Sequence, residues 1–199
     1  MDEIYWWGGG CEKGISYNLL MQERERMAQT KIEKVGIEKL DVVYGLIKED
    51  SEWLSREKGF DHWSDWYTKE RVAEKFEDWD VYLAYRNNEL VGTMSVSEKK
   101  VGYYLQESIE MFEKPEARAL YISMLAVKPE FQGQGVASDL LKLAEEIAKN
   151  KEIEYVRFDC REEYTELVDF YLKRGYGKMG SFSEEENENY LMMEKFLNL

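Results

Sequence analysis

The stretch "LYISMLAVKPEFQGQGVASDLLKLAEE", residues 120–146, constrains the fold more than any other. An apolar run of strand length ends at a proline, Pro129, which cannot donate to a ladder. Two glycines alternating with polar residues follow, and a helical rhythm starts at once. Val136, Leu140, Leu141, Ala144, Ile147 and Ala148 fall on one face of that helix. A buried strand feeding a helix through so short a turn belongs to an α/β fold, with helices covering a sheet. The glycines admit two readings. Bare backbone lets an anion approach N–H groups at the positive end of a helix. Bare backbone also permits dihedrals that other residues avoid in a tight turn. The glycines alone do not decide between these.

Two phosphate motifs are excluded. A P-loop needs Lys and Ser/Thr after its last glycine, and Val136-Ala137 stand there. The dinucleotide fingerprint belongs early in a βαβ unit, whereas this turn follows several elements.

The rest of the chain mixes strands and helices. "TKIEKVG", from Thr30, reads as a strand, and residues 37–59 read as a helix with Leu40, Val43, Leu46 and Trp53 in rhythm. Ser64 or Thr68 is placed to cap the helix "KERVAEKFED". "VYLAYR" and "ELVGTMSVSEK" around "NN" predict a hairpin. Residues 101–117 show no clear pattern, although "LQESIEMFEK" fits a helix. "IEYVRFDC" predicts a strand, and "YTELVDFYLKRG" a helix with Tyr164, Leu167, Val168, Tyr171 and Leu172 on one stripe, stopped by Gly175. "GKMGSF" and "YLMMEKFL" predict a terminal hairpin around an acidic loop at 183–189. Residues 1–28 differ: "YWWGGGC" is aromatic and then flexible. We read 1–28 as an extension that covers an edge, mediates a homodimer or is disordered, and 29–199 as one domain.

Lys and Arg total 27 against 41 Asp and Glu, a formal net charge of -14. Such a surface repels nucleic acid and anionic membrane and favours cationic ligands; solubility is the plainer account of the same acidity. Cys11 and Cys160 share no metal or redox spacing, so no disulfide framework is expected and a reducing cytoplasm fits. No leader and no bilayer-spanning apolar stretch is visible. His62 is the only histidine, which argues against a multi-histidine metal site and against a Ser-His-Asp apparatus built on any other histidine. No metal is expected.

The spacing Gln-x-x-Gly-x-Ala in "QGQGVA" resembles the acyl-CoA pyrophosphate loop of the GNAT superfamily of N-acyltransferases. "LAVKPEFQGQGVASDLL" resembles that family's fourth strand and loop, and "FYLKRGYGKMG" its second signature, at a distance that suits one helix and one strand. "RFDCREEYTELVDFY" resembles a small-molecule subgroup with Asp-Cys at the end of the fifth strand. The resemblance covers about residues 30–199. Gln132 stands where Arg is commoner, and Tyr164 stands where many members carry an Asn that helps hold the cofactor.

The resemblance implies an α/β fold with a mixed, mostly antiparallel central sheet flanked by helices, its fourth and fifth strands splayed. It implies acetyl-CoA in that splay, with the pyrophosphate on Gln132, Gly133, Gln134, Gly135, Val136 and Ala137. The Leu125-Ala126-Val127 backbone would pair with the pantetheine arm, and the Leu125 N–H would face the oxyanion. Tyr171 occupies the general-acid position and would protonate the departing thiolate. Trp63, Trp66 and Tyr67 border the acceptor site; each could equally be a core plug. Ser123 and Asp159 are further candidates for substrate contact, Asp159 also for capping the next helix. The general base is not readable from the sequence: Glu107, Glu110 and Glu113 precede the fourth strand, solvated charge is the simpler account of each, and a water relay is the alternative. Lys128, Lys173 and Arg174 could meet the ribose phosphate or be surface charge. The implied activity is acetyl-CoA-dependent N-acetylation of a small cationic amine. The alternatives are a non-catalytic acyl-CoA-binding module and a protein or peptide N-acetyltransferase.

Overall fold

The computed structural model describes residues 29–61, 63, 66–185 and 188–199. The expected extension, with Cys11, and the positions His62 and Ser64 lie outside the described residues.

One seven-stranded sheet organises the chain, in the order β1-β2-β3-β4-β5-β7-β6. The strands are β1 (Lys31–Val35), β2 (Asp80–Arg86), β3 (Glu89–Ser97), β4 (Ala119–Val127), β5 (Tyr155–Arg161), β6 (Gly177–Glu185) and β7 (Glu188–Phe196). Every neighbouring pair is antiparallel except β4 and β5, which run parallel. The helices are α1 (Leu40–Lys58), α2 (Lys69–Asp78), α3 (Gln106–Glu110), α4 (Val136–Asn150) and α5 (Thr165–Leu172). The mixed, mostly antiparallel sheet read from the sequence is therefore the observed one.

Local chemistry accounts for the boundaries. Thr68 Oγ1 accepts the Arg71 N–H at 3.3 Å and caps α2. Asn87 and Asn88 both take positive φ, 50° and 64°, as a two-residue hairpin turn between β2 and β3 requires. The terminal hairpin is tighter than expected. Its ladder runs to Glu185–Glu188, so strand replaces most of the predicted acidic loop.

Helices cover both faces. On one, α4 and α5 pack Leu140, Leu141, Ala144 and Val168 against Met94, Leu120, Ile122 and Phe158. On the other, α1 and α2 pack Val43, Leu46, Ile47 and Val72 against Val81, Leu83, Met124 and Ala126. The α5 stripe is narrower than predicted. Val168 and Tyr171 are buried, but Tyr164 precedes the helix and Leu172, its last residue, turns outward at 39% exposure.

β4 carries an irregularity that sets up the site. Ser123 pairs with Ser95 and Ala126 with Thr93, so Met124 and Leu125 together oppose Met94. Met124 adopts φ 52°, a left-handed conformation uncommon for such a side chain. The extra residue reverses the alternation. Leu120 and Ile122 face the α4 side, Met124 and Ala126 face the α1 side, and Leu125 and Val127 return to the α4 side.

A buried ion pair braces the neighbouring loop. Arg157 on β5 and Glu194 on β7 meet at 2.6 Å with side chains 0% and 3% exposed. Arg157 Nη2 also donates to the Lys114 carbonyl at 2.7 Å, and Glu194 Oε1 accepts the Glu113 N–H at 3.2 Å. The segment around α3 is thereby fixed across the sheet.

Candidate active site

The site opens where two strands part. β4 and β5 pair only from Ala119–Tyr155 to Tyr121–Arg157. Both run on, to Val127 and Arg161, with no further pairs between them. A cleft of about 860 Å³ fills the gap.

The glycine turn closes one end. Gln132, Gly133, Gly135, Val136 and Ala137 line the cleft there. Gly133 has φ +72° and Gly135 φ +94°, so the dihedral reading of these glycines is realised. Space is also present: a Cβ at Gly133 would meet nothing within 4 Å, and one at Gly135 only the Arg86 guanidinium at 3.8 Å. α4 starts at Val136 with no side-chain cap, although its first N–H groups have no partner within the helix. Gln132 Nε2 lies 3.3 Å from the Val127 carbonyl and 3.5 Å from Asp50 Oδ1, tying the turn to β4 and α1. Gln134 and Ala126 are not on the cleft wall. Gln134 is exposed and donates to the Glu130 carbonyl at 2.7 Å, and Ala126 alternates away under α1.

Arg174 also lines this end. Its Nε donates to Ser138 Oγ at 3.0 Å, and its guanidinium lies 3.5 Å above the Phe170 ring. Lys128 instead lies near Glu49 and Glu130, at 3.9 and 4.0 Å, and Lys173 is exposed. Asp50 is an unanticipated member. It is 6% exposed, and burial, aided by Glu49, pushes its carboxyl up to about 7. Trp53, expected in the core, lines the cleft, because that part of α1 lies over the gap and not over the sheet.

Tyr171 on α5 lines the cleft at 5% exposure, its ring 4.5 Å from Phe158 and 6.1 Å from Tyr176. Burial holds its hydroxyl well above the usual phenol range, and the neighbouring Cys160 and Asp159 reinforce this. The phenol therefore stays protonated across the working pH range. Cys160 is free and buried, and burial pushes its thiol up to about 12, which leaves no thiolate nucleophile.

The far end is aromatic and acidic. Asp159 on β5 accepts the hydroxyls of Tyr103 and Tyr104, both at 2.6 Å and both on Oδ1. It does not cap α5, which has no side-chain cap. Tyr67 and Ser123 share a hydrogen bond at 3.1 Å, and burial pushes the Tyr67 phenol up to about 12. Trp66 meets Tyr103 edge-on at 5.2 Å, and Trp63 meets Tyr67 likewise at 5.2 Å. The expected residues Trp63, Trp66, Tyr67, Ser123 and Asp159 thus all belong to the wall of the same cleft as Leu125 and Val127. Glu107 and Glu110 are exposed and, with Glu113, lie off that wall. Tyr103 and Tyr104 were not anticipated. Their only signal was an aromatic pair in a segment without periodicity. Among the described residues, no group of three or more His, Cys, Asp or Glu could hold a metal, and no helix is long and apolar enough to cross a membrane.

Known proteins give this architecture a context. Residues 41–176 match the family model described as Acetyltransferase (GNAT) family. The uncharacterized N-acetyltransferase YesJ of Bacillus subtilis is 24% identical over 161 residues, 79% of this chain and 85% of that protein. The PaiA N-acetyltransferase of Thermoplasma acidophilum, solved in complex with coenzyme A, superposes with a TM-score of 0.62 at 20% identity, over 85% of this chain and 99% of that one. The ribosomal-protein-S18-alanine N-acetyltransferase of Escherichia coli gives 0.62 at 11% identity, over 86% and 96%. At these identities the two solved structures speak for the fold.

Proposed function

The chain belongs to the GNAT acetyltransferase family and is an acetyltransferase; from that premise we propose that it carries the acetyl group of acetyl-CoA to the primary amine of a small cationic molecule, by direct attack on the thioester. Acetyl-CoA supplies an acyl group already activated by a sulfur leaving group. The residues fit such a ligand. The turn at Gly133 and Gly135 and the uncapped start of α4 suit the pyrophosphate, joined by Gln132, Gln134, Val136 and Ala137. Arg174, half-buried on the same wall, suits a further phosphate. The Leu125-Ala126-Val127 backbone, beyond the last β4–β5 pair, suits an extended pantetheine arm.

Each catalytic demand has a candidate residue. The bulge at Met124 places Leu125 on the cleft wall, where its N–H would face negative charge on the carbonyl oxygen. Tyr171 holds a proton on a buried hydroxyl and would give it to the sulfur. Trp63, Trp66, Tyr67, Ser123 and Asp159 would receive the acceptor. One observation carries the reading: a single cleft joins an anion-suited turn to a carboxylate among aromatic rings. The aromatic crowding favours a small molecule over a peptide. The buried free thiol of Cys160 suits a reducing cytoplasm.

Calorimetry with acetyl-CoA, followed by thiol release with a panel of amines, tests the proposal. Binding with release to small primary amines is expected. Release only with peptide N-termini or lysyl peptides would move the activity to proteins, and no binding would remove the cofactor assignment.

A further inference from the structure

We infer that Asp159 is both the anchor for the acceptor's ammonium group and the base that takes its first proton, and that the amine it selects is carried on a flat, apolar body. The inference rests on the acetyl-transfer reading above.

Position is the first argument. Asp159 lies on β5 past the last β4–β5 pair, so its strand faces the open cleft. Phe158, the residue before it, points to the other face and packs on Tyr171 at 4.5 Å, yet the Asp159 charge still acts on the Tyr171 phenol and helps to raise it, so both groups serve one cleft. Hydrogen bonding is the second. A carboxylate can accept about four hydrogen bonds. The hydroxyls of Tyr103 and Tyr104 both converge on Oδ1. Among the described residues no side-chain donor reaches Oδ2. The carboxylate is thus held by two phenols on one oxygen and assisted by its own backbone N–H, and of about four acceptor positions it keeps capacity for a donor from the ligand. A capping role for α5 would have used it otherwise, and α5 has no side-chain cap.

Charge is the third. Among the described residues, the titratable groups coupled to Asp159 are Tyr67, Tyr103, Tyr104, Lys75, Cys160 and Tyr171. Arg161, two residues along β5, also lines the cleft but is paired with Glu163 at 3.3 Å, and Lys75 is the one cation among these groups. Its ammonium lies 4.0 Å from the Trp79 ring, and burial pushes it down to about 8, so its charge is only weakly held there. Burial in turn raises the Asp159 carboxyl above the ordinary range, which suits a base working nearer neutrality. Shape is the fourth. Trp66 and Tyr103 meet edge-on at 5.2 Å, the Arg71 guanidinium already covers Trp66 at 4.1 Å, and with Trp63 and Tyr67 these rings give the cleft a largely aromatic lining for an apolar body. Tyr67 and Ser123 there are bonded to each other at 3.1 Å, and Asp61 is a further carboxylate on the lining.

The proton account closes. The acceptor arrives as R–NH3+ and must lose two protons as its N–C bond forms and the thioester C–S bond breaks. Asp159 takes the first, which frees the nitrogen lone pair, and passes it to solvent. The second leaves the nitrogen after attack and balances the proton that Tyr171 gives to sulfur. The net products are R–NH–acetyl, CoA thiol and one proton in solution.

The test uses 2-phenylethylamine and spermidine with the whole protein. Calorimetry in the presence of saturating CoA, which cannot react, reads amine binding alone. Wild type should bind 2-phenylethylamine more tightly than spermidine, and Asp159→Asn should weaken that binding by roughly 30-fold or more, the scale for losing one partner of a buried charge pair. With acetyl-CoA, Asp159→Asn should lower kcat/KM for the amine by about 10²-fold or more while the acetyl-CoA thermal shift persists. Tyr104→Phe removes one donor to Oδ1, so the acidic limb of the kcat/KM–pH profile should move up. Equal amine binding and turnover in Asp159→Asn, with acetyl-CoA bound normally, would overturn this inference and leave the acetyl-transfer reading standing. Tighter spermidine binding would overturn the flat-body assignment. Failure of wild type to bind acetyl-CoA would remove the underlying reading as well.

Discussion

Replacing Asp50 by Asn should stabilise this protein, increasingly as pH rises from about 4 to about 7. Asp50 is 6% exposed on α1, and its one side-chain donor, Gln132 Nε2, is a long 3.5 Å away. Desolvation pushes its carboxyl from 3.8 up to about 7. The folded state therefore binds the proton more tightly than the unfolded chain. Its contribution is fully present below pH 4 and is lost as pH rises to about 7. A shift of about three pKa units corresponds to a ceiling of roughly 4 kcal/mol. Asn keeps an acceptor for Gln132 and carries no charge at any pH. Urea unfolding of both proteins at pH 4, 5.5, 7 and 8 reads the difference directly. The variant should gain up to roughly 4 kcal/mol over wild type at pH 8, and the gap should close towards pH 4. A gap independent of pH, or a variant weaker than wild type at pH 8, would refute the desolvation argument. The same charge faces the turn proposed to hold the pyrophosphate. Acetyl-CoA affinity should then fall in wild type as pH passes about 7 and stay level in the variant.

Other outcomes follow from the same geometry. Tyr171→Phe keeps the ring against Phe158 and loses only the hydroxyl, so single-turnover acetylation should fall by about 10²-fold with acetyl-CoA affinity little changed; unchanged rates would return Tyr171 to the core. Glu194→Gln leaves Arg157 buried without its counter-charge and should cost roughly 3–5 kcal/mol in denaturant unfolding. A loss under 1 kcal/mol, checked by the same method, would mean the loop carbonyls alone satisfy Arg157. Turnover of a cationic amine at saturating acetyl-CoA should fall as salt is raised, given the net charge of -14; salt-independent turnover would leave the acidity as solubility alone.

Much of the frame was legible because it depends on local periodicity. "ALYISMLAV" spans β4, and the apolar face read from Val136 to Ala148 is the face α4 buries. The bulge at Met124 was not legible, because its left-handed residue is not the Gly, Asn or Asp that usually marks one. Asp50 and Trp53 kept the helical rhythm of α1, but rhythm reports a face and not what the face covers. There it covers the cleft. The Asp159 cluster depends on residues 55 and 56 positions apart, brought together by the packing of Tyr104 on Tyr121, Tyr155 and Met192, while Arg157 and Glu194 pin the segment after α3. Neither residue of that pair stood out, since each occupies an ordinary strand position. The acidic run at 183–189 misled because composition suggested a loop where cross-strand pairing continues to the turn.

An acidic protein that binds an acidic cofactor needs its charges sorted, and the cleft shows how that is arranged. At the turn proposed to hold the pyrophosphate, the attraction for an anion would be local: backbone N–H groups, the α4 dipole and Arg174. The acidic side chain in the first turn of α4, Asp139, is occupied elsewhere, accepting from Thr30 at 2.6 Å and lying 3.5 Å from Arg86. Asp50, the carboxyl nearest Gln132, is driven towards its neutral form. At the other end Asp159 is kept available by two phenols, and Lys75, the cation coupled to it, is itself weakened by burial. On the proposed reading the net charge would draw cationic acceptors without expelling the donor, because the two ends differ in what they present over a few side chains. This arrangement makes the charge of Asp50 the sensitive point. It is the group whose ionisation would extend the acidic field into the turn.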